Sequence, residues 1–184
     1  MKKIIKGLVL IFIIFILFMQ IQRAIIYPKN YSRYVKKAAE TYMLDEHIIY
    51  SIIKCESNFK PSAISNKGAK GLMQILDTTA IDMQNRVNGV LDKTFSIPKD
   101  ILNPEVNILL GSAYVKMLMQ KYQNNFPLML AAYNAGMGTV DKWIKEGIID
   151  VSKDNFYETI PYNETKSYVI KGIRARNMYD TLYN

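Results

Sequence analysis

The sequence predicts an all-α domain that follows an N-terminal apolar helix. Two observations lead to this fold class. Beyond residue 30, helix start and stop signals recur along the chain, whereas the alternation of apolar and polar residues that is typical of strands is scarce. At the N-terminus, a run of thirteen apolar residues, Gly7–Met19, follows three lysines. We therefore expect an anchor and tether over residues 1–28 and one helical domain over residues 29–184.

The N-terminal segment has the composition of a membrane span. Between Ile4 and Ile21 the stretch covers about eighteen residues, which is close to the length that crosses a bilayer. A cleaved signal peptide would share the charged start, but Met-Gln-Ile-Gln-Arg follows the apolar core where small residues would mark a cleavage site. We favour an uncleaved anchor over a secreted, processed chain. The lysines before the span predict a cytoplasmic N-terminus and an extracytoplasmic domain.

Seven further helices are predicted from caps and apolar spacing. Asp45 and Asn103 have side chains that suit N-caps, Pro104 suits a first helical position, and Asp77 or Thr78 is expected to cap another helix. The predicted helices cover residues 32–42, 45–56, a segment from 77, 103–122, 125–136, 139–146 and 163–183. Pro61–Lys70 reads as a loop because it is rich in residues that favour turns.

Composition excludes several classes of site. Residues 1–28 carry four of the 24 basic residues and none of the 16 acidic ones, so the domain keeps a mild excess of four positive charges, without the basic stripe typical of nucleic-acid binders. Cys55 is the only cysteine and His47 the only histidine, eight residues apart on one predicted helix. This spacing is too long for a Cys-His pair. We expect no disulfide within the chain, no zinc site, no cofactor and no nucleic-acid partner.

One glutamate lies where a carboxylate is normally absent. Three isoleucines precede Glu56 at helical spacing and share its face: Ile49, Ile52 and Ile53. Burial on that face disfavours the charged carboxylate and should raise its pKa, as a general acid near neutral pH requires. Alternatively, Glu56 is an acid at a frayed helix end that faces solvent or pairs with Lys54 or Lys60.

A single buried acid in an extracytoplasmic helical domain suggests glycoside cleavage. Hydrolysis normally uses two carboxylates, and only Asp77 and Glu164 remain as candidates if the fold brings them close. One acid suffices if the substrate supplies its own nucleophile. In peptidoglycan, the 6-hydroxyl of N-acetylmuramic acid can attack its own anomeric carbon, with the large entropic advantage of an intramolecular reaction.

Four blocks in order resemble the signatures of the soluble lytic transglycosylase (SLT) family. They are Glu56-Ser57, Gly71-Leu-Met-Gln74, Ala132-Tyr-Asn-Ala-Gly136 and Glu164-Thr-Lys-Ser-Tyr168-Val169. The resemblance covers roughly residues 34–179. It implies an α fold like that of goose-type lysozyme. It also implies peptidoglycan glycan strands as the substrate and a product with a 1,6-anhydro end.

The resemblance also implies the site. It assigns one acid/base and six side chains that bind substrate or support it: Glu56, then Ser57, Met73, Gln74, Tyr133, Asn134 and Tyr168. In this assignment Met73 and Gln74 shape the sugar groove, and the Tyr168 hydroxyl holds the glutamate. Met73 could equally be a plain core residue. Glu164 could belong to the groove or be only a helix-start charge. Asn85–Ile101 looks long beside the family core and is expected to form a lobe beside the groove. A lysozyme-like muramidase and a non-catalytic wall-binding protein remain as alternatives.

Overall fold

The computed structural model describes residues 2–87 and 95–184, and every regular element within these ranges is helical. The predicted all-α fold class is therefore confirmed. The helices are α1 Lys2–Ile21, α2 Ser32–Tyr42, α3 Glu46–Glu56, α4 Asp77–Arg86, α5 Pro104–Lys121, α6 Phe126–Ala135, α7 Met137–Lys145 and α8 Asn163–Tyr183. Residues 88–94, within the predicted lobe Asn85–Ile101, lie outside the described residues.

The apolar side chains of helix α1 are not covered by the rest of the chain. It continues through a π-helical turn, Gln22–Ile26, to give 25 residues of helix that are long and apolar enough to cross a membrane. None of the residues in this apolar stretch is buried against the rest of the chain. A core helix of a soluble domain would be largely buried, so α1 does not serve the domain's core.

Two helix starts have their predicted caps, and a third helix has a cap of the same kind. The side chain of Asp45 accepts a hydrogen bond from the His47 backbone N–H at 2.9 Å, and Asn103 accepts one from Glu105 at 2.9 Å. Pro104 occupies the first turn of α5, where its missing N–H costs nothing. Asn125 caps α6 in the same manner.

The predicted cap of α4 is wrong. Leu76 precedes the helix and provides no side-chain cap. Asp77 lies in the first turn instead, where its carboxylate accepts two hydrogen bonds from Lys70 Nζ, the shorter at 2.7 Å. The ion pair fixes the end of the preceding loop to the start of α4, and it uses the oxygens that a cap would need.

Helix α5 runs through the centre of the domain with most of its side chains buried. Leu110 and Ala113 of this helix are buried, whereas Met117 is only partly buried. Helices α3 and α6 both pack against α8. A Cβ at Gly172 would lie 2.6 Å from Leu130, so the absence of a side chain there permits the close approach of α6 and α8.

Helices α3 and α8 run antiparallel. At one end of the pair, the His47 ring Nδ1 lies 2.6 Å from Asp180 Oδ1. At the other end, the Tyr168 hydroxyl lies 2.6 Å from Glu56 Oε1. The pair therefore has one end near the N-terminal anchor and an opposite end that carries the predicted acid.

Candidate active site

Glu56 is the last residue of α3, and its carboxyl group is largely withdrawn from solvent. Burial raises the pKa of this carboxyl from 4.5 to about 7, and the hydrogen bond from Tyr168 opposes part of that rise. The expectation of an elevated pKa, derived from the isoleucine spacing, is confirmed. A carboxyl with this pKa is substantially protonated at neutral pH and can act in either ionisation state.

Tyr168 faces Glu56 from the first half of α8. Its ring is buried, and its hydroxyl donates to Glu56 Oε1 at 2.6 Å. A hydrogen bond to the charged form of a carboxyl favours that form. Tyr168 therefore orients the carboxyl and also keeps its pKa lower than burial alone would set it. The contact predicted by the family resemblance is present.

The Gly71–Gln74 block forms a tight turn beside Glu56. Gly71 has φ +77°, and a Cβ added there would collide with the Asn107 side chain. Asn107, on α5, is completely buried and holds the turn. Its Oδ1 accepts from Met73 N at 2.7 Å, while its Nδ2 donates to the carbonyls of Lys70 and Ile101, each at 2.9 Å.

Ser57 supports this turn rather than facing a ligand. Its side chain is buried, and its hydroxyl donates to the Leu72 carbonyl at 2.8 Å. The bond ties the end of α3 to the 71–74 turn. This positioning contact fits the supporting role that the resemblance assigns to Ser57.

For Met73, the structure favours the core position over the sugar contact. Its side chain is fully buried and packs against Gly111 of α5. A Cβ added at Gly111 would collide with it. Only its backbone carbonyl extends toward the cleft, where it accepts a hydrogen bond from the Tyr133 hydroxyl at 2.7 Å. A sugar contact by the Met73 side chain therefore does not fit this structure, because the turn at Gly71 directs that side chain inward.

Gln74 lies in the cleft with part of its amide already occupied. It adopts a left-handed φ of +47°, and its Nε2 donates to the carbonyls of Ala63 and Gly71 at 3.0 and 2.9 Å. Both amide hydrogens are used in this arrangement, which leaves Oε1 as the group that can accept from a hydroxyl or an N–H of a ligand.

The end of α6 supplies the opposite wall. Besides the Tyr133 contact to the 71–74 turn, Asn134 Oδ1 accepts from the Thr165 hydroxyl of α8 at 2.8 Å. Gly136, with φ +85°, then ends the helix. The 71–74 turn forms one wall of the cleft and the end of α6 forms the other. A direct hydrogen bond joins them.

Two adjoining cavities form a groove between these walls. One, of about 360 Å³, contains Glu56; the other, of about 350 Å³, lies beside it. The two cavities share four of their lining residues: Gln74, Leu76, Tyr133 and Asn134. The sequence-predicted residues Glu56, Gln74, Tyr133 and Asn134 are therefore brought together, and Tyr168 supports the acid from beneath.

The groove contains a second acid. Glu164, an exposed residue in the first turn of α8, lines the same cavity as Glu56. Asp77, the other candidate, is paired with Lys70 and lines neither cavity. Among the residues that the structure describes, Glu56 and Glu164 are the carboxylates that line the groove.

Sequence reasoning missed three contributors to the groove. Asn107 holds the 71–74 turn, Thr165 holds Asn134, and the 65–69 loop brings Lys67 into the cavity of Glu56. The signal for Asn107 was available, because a lone amide inside the largely apolar run Val106–Leu110 indicates a buried polar contact. Thr165 lies inside the fourth family block, which assigned it no role, and nothing in the sequence distinguished Lys67 from an ordinary surface residue.

One set of side chains resembles a metal-ligand cluster in the described part of the chain. Asp45, His47 and Asp180 each place a ligand atom within 4.8 Å of the others. Asp180 contacts the His47 ring, and Asp45 contacts Arg176 at 3.2 Å. These contacts join α3 to α8 at the end that lies away from Glu56, so the cluster does not belong to the groove.

Comparisons with known proteins point to a single family. The family model described as the transglycosylase SLT domain matches residues 33–150. The soluble lytic murein transglycosylase of Escherichia coli (strain K12) is 33% identical over 153 residues, which make up 83% of this chain and 23% of that protein. The membrane-bound lytic murein transglycosylase C of Serratia proteamaculans (strain 568) is 30% identical over 168 residues, which make up 82% of this chain and 46% of that protein.

A solved structure shows the same architecture. An inactive Glu-to-Gln mutant of the lytic transglycosylase Slt from Pseudomonas aeruginosa matches with a TM-score of 0.75 and 29% sequence identity. The match covers 85% of this chain and 25% of that one. This chain therefore spans about a quarter of the length of its soluble relatives and about half that of the membrane-bound one.

Proposed function

The chain belongs to the transglycosylase SLT domain family, and from this premise we propose that it is a peptidoglycan lytic transglycosylase. It cleaves the β-1,4 bond between N-acetylmuramic acid and N-acetylglucosamine without consuming water. The observation that carries this proposal is the carboxyl of Glu56. Its pKa is raised to about 7, Tyr168 holds it, and it lies at the floor of a groove.

In the first half of the reaction Glu56 acts as the acid. Its carboxyl proton passes to the glycosidic oxygen, and the bond between that oxygen and the anomeric carbon of N-acetylmuramic acid breaks. The leaving sugar departs with a new hydroxyl group. Because its pKa is near neutrality, the carboxyl is protonated often enough to donate at physiological pH.

In the second half Glu56 acts as the base. The 6-hydroxyl of the same N-acetylmuramic acid attacks the anomeric carbon, and the Glu56 carboxylate takes its proton. The product is a 1,6-anhydro ring, and the enzyme returns to its starting protonation state. Tyr168 donates to the carboxylate formed between the two halves. Gln74 offers an acceptor oxygen to sugar hydroxyl or acetamido groups, and Asn134 lines the groove beside it.

The mass of the products tests this proposal. We expect digestion of purified glycan strands to release fragments with anhydro ends, one water lighter than hydrolysis products, because the internal hydroxyl replaces water as the nucleophile. Mass spectrometry of the digest checks this result. Ends that contain the extra water would contradict the transglycosylase reaction.

Two alternatives have distinct outcomes in the same digest. A lysozyme-like muramidase would give the heavier ends, and the position of Glu164 in the cavity of Glu56 is the one observation that favours it. A non-catalytic wall-binding protein would retain strands in a pull-down and release no product. The elevated pKa of Glu56 argues against this last alternative, because a binder gains nothing from a desolvated acid.

We expect Tyr168→Phe to lower activity and to move its pH profile. Loss of the hydroxyl removes the hydrogen bond that lowers the pKa of Glu56, so that pKa rises further. The general acid then stays protonated to higher pH, and the alkaline limb of the profile shifts upward. We expect a rate loss of about tenfold at the optimum because the carboxyl is less well oriented. A pH–rate series on the variant measures both effects, and an unshifted limb would contradict the assigned role.

For localisation, we propose that residues 1–28 anchor the domain formed by residues 29–184 on the outer side of the membrane. The exposed apolar helix and the lysines that precede it support this topology. The membrane-bound relative from Serratia proteamaculans is consistent with it.

A further inference from the structure

The anchor-side end of the α3/α8 pair carries a cluster of tyrosines. Tyr50 of α3 and Tyr179 of α8 stack at 5.2 Å between ring centroids, and Tyr179 stacks on Tyr183 at 6.0 Å. Tyr50 and Tyr179 are fully buried, and Tyr183 is partly buried. We call these three residues the aromatic seat. The family blocks do not include them, and the proposed chemistry does not use them.

The seat holds the backbone of residues 23–29, which we call the juxtamembrane segment. This segment comprises the last turn of the apolar helix and the three residues after it. The Tyr183 hydroxyl lies 2.8 Å from the Tyr27 carbonyl and 3.0 Å from the Arg23 carbonyl, and its single hydrogen is shared between the two acceptors. The Tyr179 hydroxyl donates to the Pro28 carbonyl at 3.1 Å. A short linker with no specific contacts would leave these carbonyls to water.

Side chains of the segment contribute further contacts. Lys29 Nζ lies 4.7 Å from the ring centroid of Tyr183 and 3.9 Å from the Glu46 carboxylate. The Tyr27 ring packs edge-on against Tyr179 at 5.5 Å. Cations over aromatic faces and edge-to-face rings are attractive arrangements. The segment is therefore bound through both its backbone and its side chains.

The aromatic seat and the groove lie at opposite ends of the α3/α8 pair. Tyr183 in the seat and Tyr168 beneath Glu56 are fifteen residues apart on the single helix α8, a rise of about 22 Å at 1.5 Å per residue. Helix α3 spans the same direction, because its first turn meets Asp180 and its last residue meets Tyr168. The groove therefore lies at the far end of a rigid helical pair from the point where the chain leaves the span.

We propose that the aromatic seat is an interaction surface for the chain's own juxtamembrane segment. It holds the domain upright on the membrane, with the groove displaced outward by the length of the α3/α8 pair. A free tether of the ten residues 22–31 would allow an end-to-end distance of about 17 Å in any direction. The docked segment removes that freedom, and the anchored domain meets only glycan strands within one fixed range of the membrane. This inference depends on the proposed anchoring and not on the proposed catalysis.

Protection of the juxtamembrane segment from trypsin tests the seat. The full chain is reconstituted in vesicles of phosphatidylethanolamine and phosphatidylglycerol, and cleavage after Arg23 and Lys29 is timed. We expect these bonds to be cut slowly in the wild type. The Tyr179→Phe/Tyr183→Phe double variant should be cut about tenfold faster, because it keeps the rings and loses the donors. Tyr162 is an exposed tyrosine outside the seat, so Tyr162→Phe is the matched control. Trypsin should cut this variant at the wild-type rate.

Cleavage after Lys67, on the exposed loop of the groove, reports on the rest of the fold. It should proceed at equal rates in all three proteins. Wild-type cleavage after Arg23 and Lys29 as fast as in a free peptide of residues 20–32 would overturn the docking. An unchanged rate in the double variant would overturn the assignment to the tyrosine hydroxyls. Retention of the full-length chain in the membrane pellet after alkaline washing tests the anchoring separately, and the trypsin assay in detergent still tests docking if that retention fails.

The height of the groove is tested by energy transfer to lipid acceptors. A donor dye is placed at Asn66→Cys beside Glu56, or at Met43→Cys near the seat end, each in a Cys55→Ser background. We expect narrow distance distributions, with the Asn66 site about 15 Å farther from the bilayer than the Met43 site, since α3 spans that rise. The double variant should broaden both distributions. Equal heights for the two sites, or a broad wild-type distribution, would overturn the proposal.

Discussion

Glu56→Gln is expected to reduce strand cleavage by about a thousandfold while leaving the domain folded. The amide cannot deliver a proton to the glycosidic oxygen and cannot take one from the 6-hydroxyl, and general acid–base catalysis typically contributes rate factors of this order. Gln keeps the size of Glu and an oxygen that can accept from Tyr168, so the groove should keep its shape. Retained binding of glycan strands by the variant shows that only the chemistry is lost.

The same variant should be more stable than the wild type at neutral and alkaline pH. The Glu56 pKa is raised from 4.5 to about 7 on folding, so the native state holds a proton that the unfolded chain releases. The stabilisation from this proton is complete below pH 4.5, declines as the pH rises, and is lost once the pH passes about 7. At 1.36 kcal/mol per pKa unit, the wild type loses about 3 kcal/mol over this interval. Gln has no such loss.

Urea unfolding at pH 5 and pH 8 measures this difference, and cleavage assays at the same pH values measure activity. Glu164→Gln is the matched control, because it removes an exposed carboxylate from the same cavity. It should change stability little, and under the transglycosylase proposal it should retain most activity. Substantial cleavage by Glu56→Gln would place the acid elsewhere. Loss of cleavage in Glu164→Gln, with hydrolysed ends in the wild-type digest, would support the muramidase.

Sequence signals within a few residues were enough to predict the ends of several helices and the environment of Glu56. Helix α2 and helix α8 begin and end at the predicted residues, because caps and apolar spacing are encoded within a few positions of each helix end. The environment of Glu56 followed from three isoleucines on its own helix, since a shared helical face implies shared burial. The order of the four blocks then identified the fold, although each block alone would not have done so.

The direction of side chains within a block could not be predicted in the same way. Met73 and Gln74 are neighbours in one motif, yet one side chain is buried in the core and the other lines the groove. Their directions depend on the left-handed turn at Gly71 and on Asn107, which lies 36 residues later in the chain. The docked juxtamembrane segment depends on contacts of still longer range, such as Tyr27 with Tyr183 across 156 positions. The spacing of apolar residues along the sequence does not indicate contacts of such long range.

Asn107→Ala is therefore the second variant from which we expect a large effect. The side chain makes three hydrogen bonds to backbone groups while completely buried. Its removal leaves Met73 N without this acceptor and takes a donor from the Ile101 and Lys70 carbonyls, of which Lys70 keeps the hydrogen bond from Ile75 N. Each unsatisfied buried group costs about 1–3 kcal/mol, so we expect a loss of about 3–5 kcal/mol in the free energy of unfolding. Activity should fall as well, because the 71–74 turn carries Gln74. Urea unfolding measures the loss, and Asn177→Ala, an exposed asparagine on α8, is the control.

A double-mutant cycle with Gly71→Ala separates the backbone strain at position 71 from the packing of that position against Asn107. A methyl group at Gly71 is strained by its φ of +77° and also collides with the Asn107 side chain. Asn107→Ala removes the collision and leaves the strain. The double variant should therefore be less destabilised than the sum of the single variants, by about 1 kcal/mol or more. Strict additivity would contradict the close packing of Gly71 on Asn107, and with it the view that this asparagine sets the path of the turn beside Glu56.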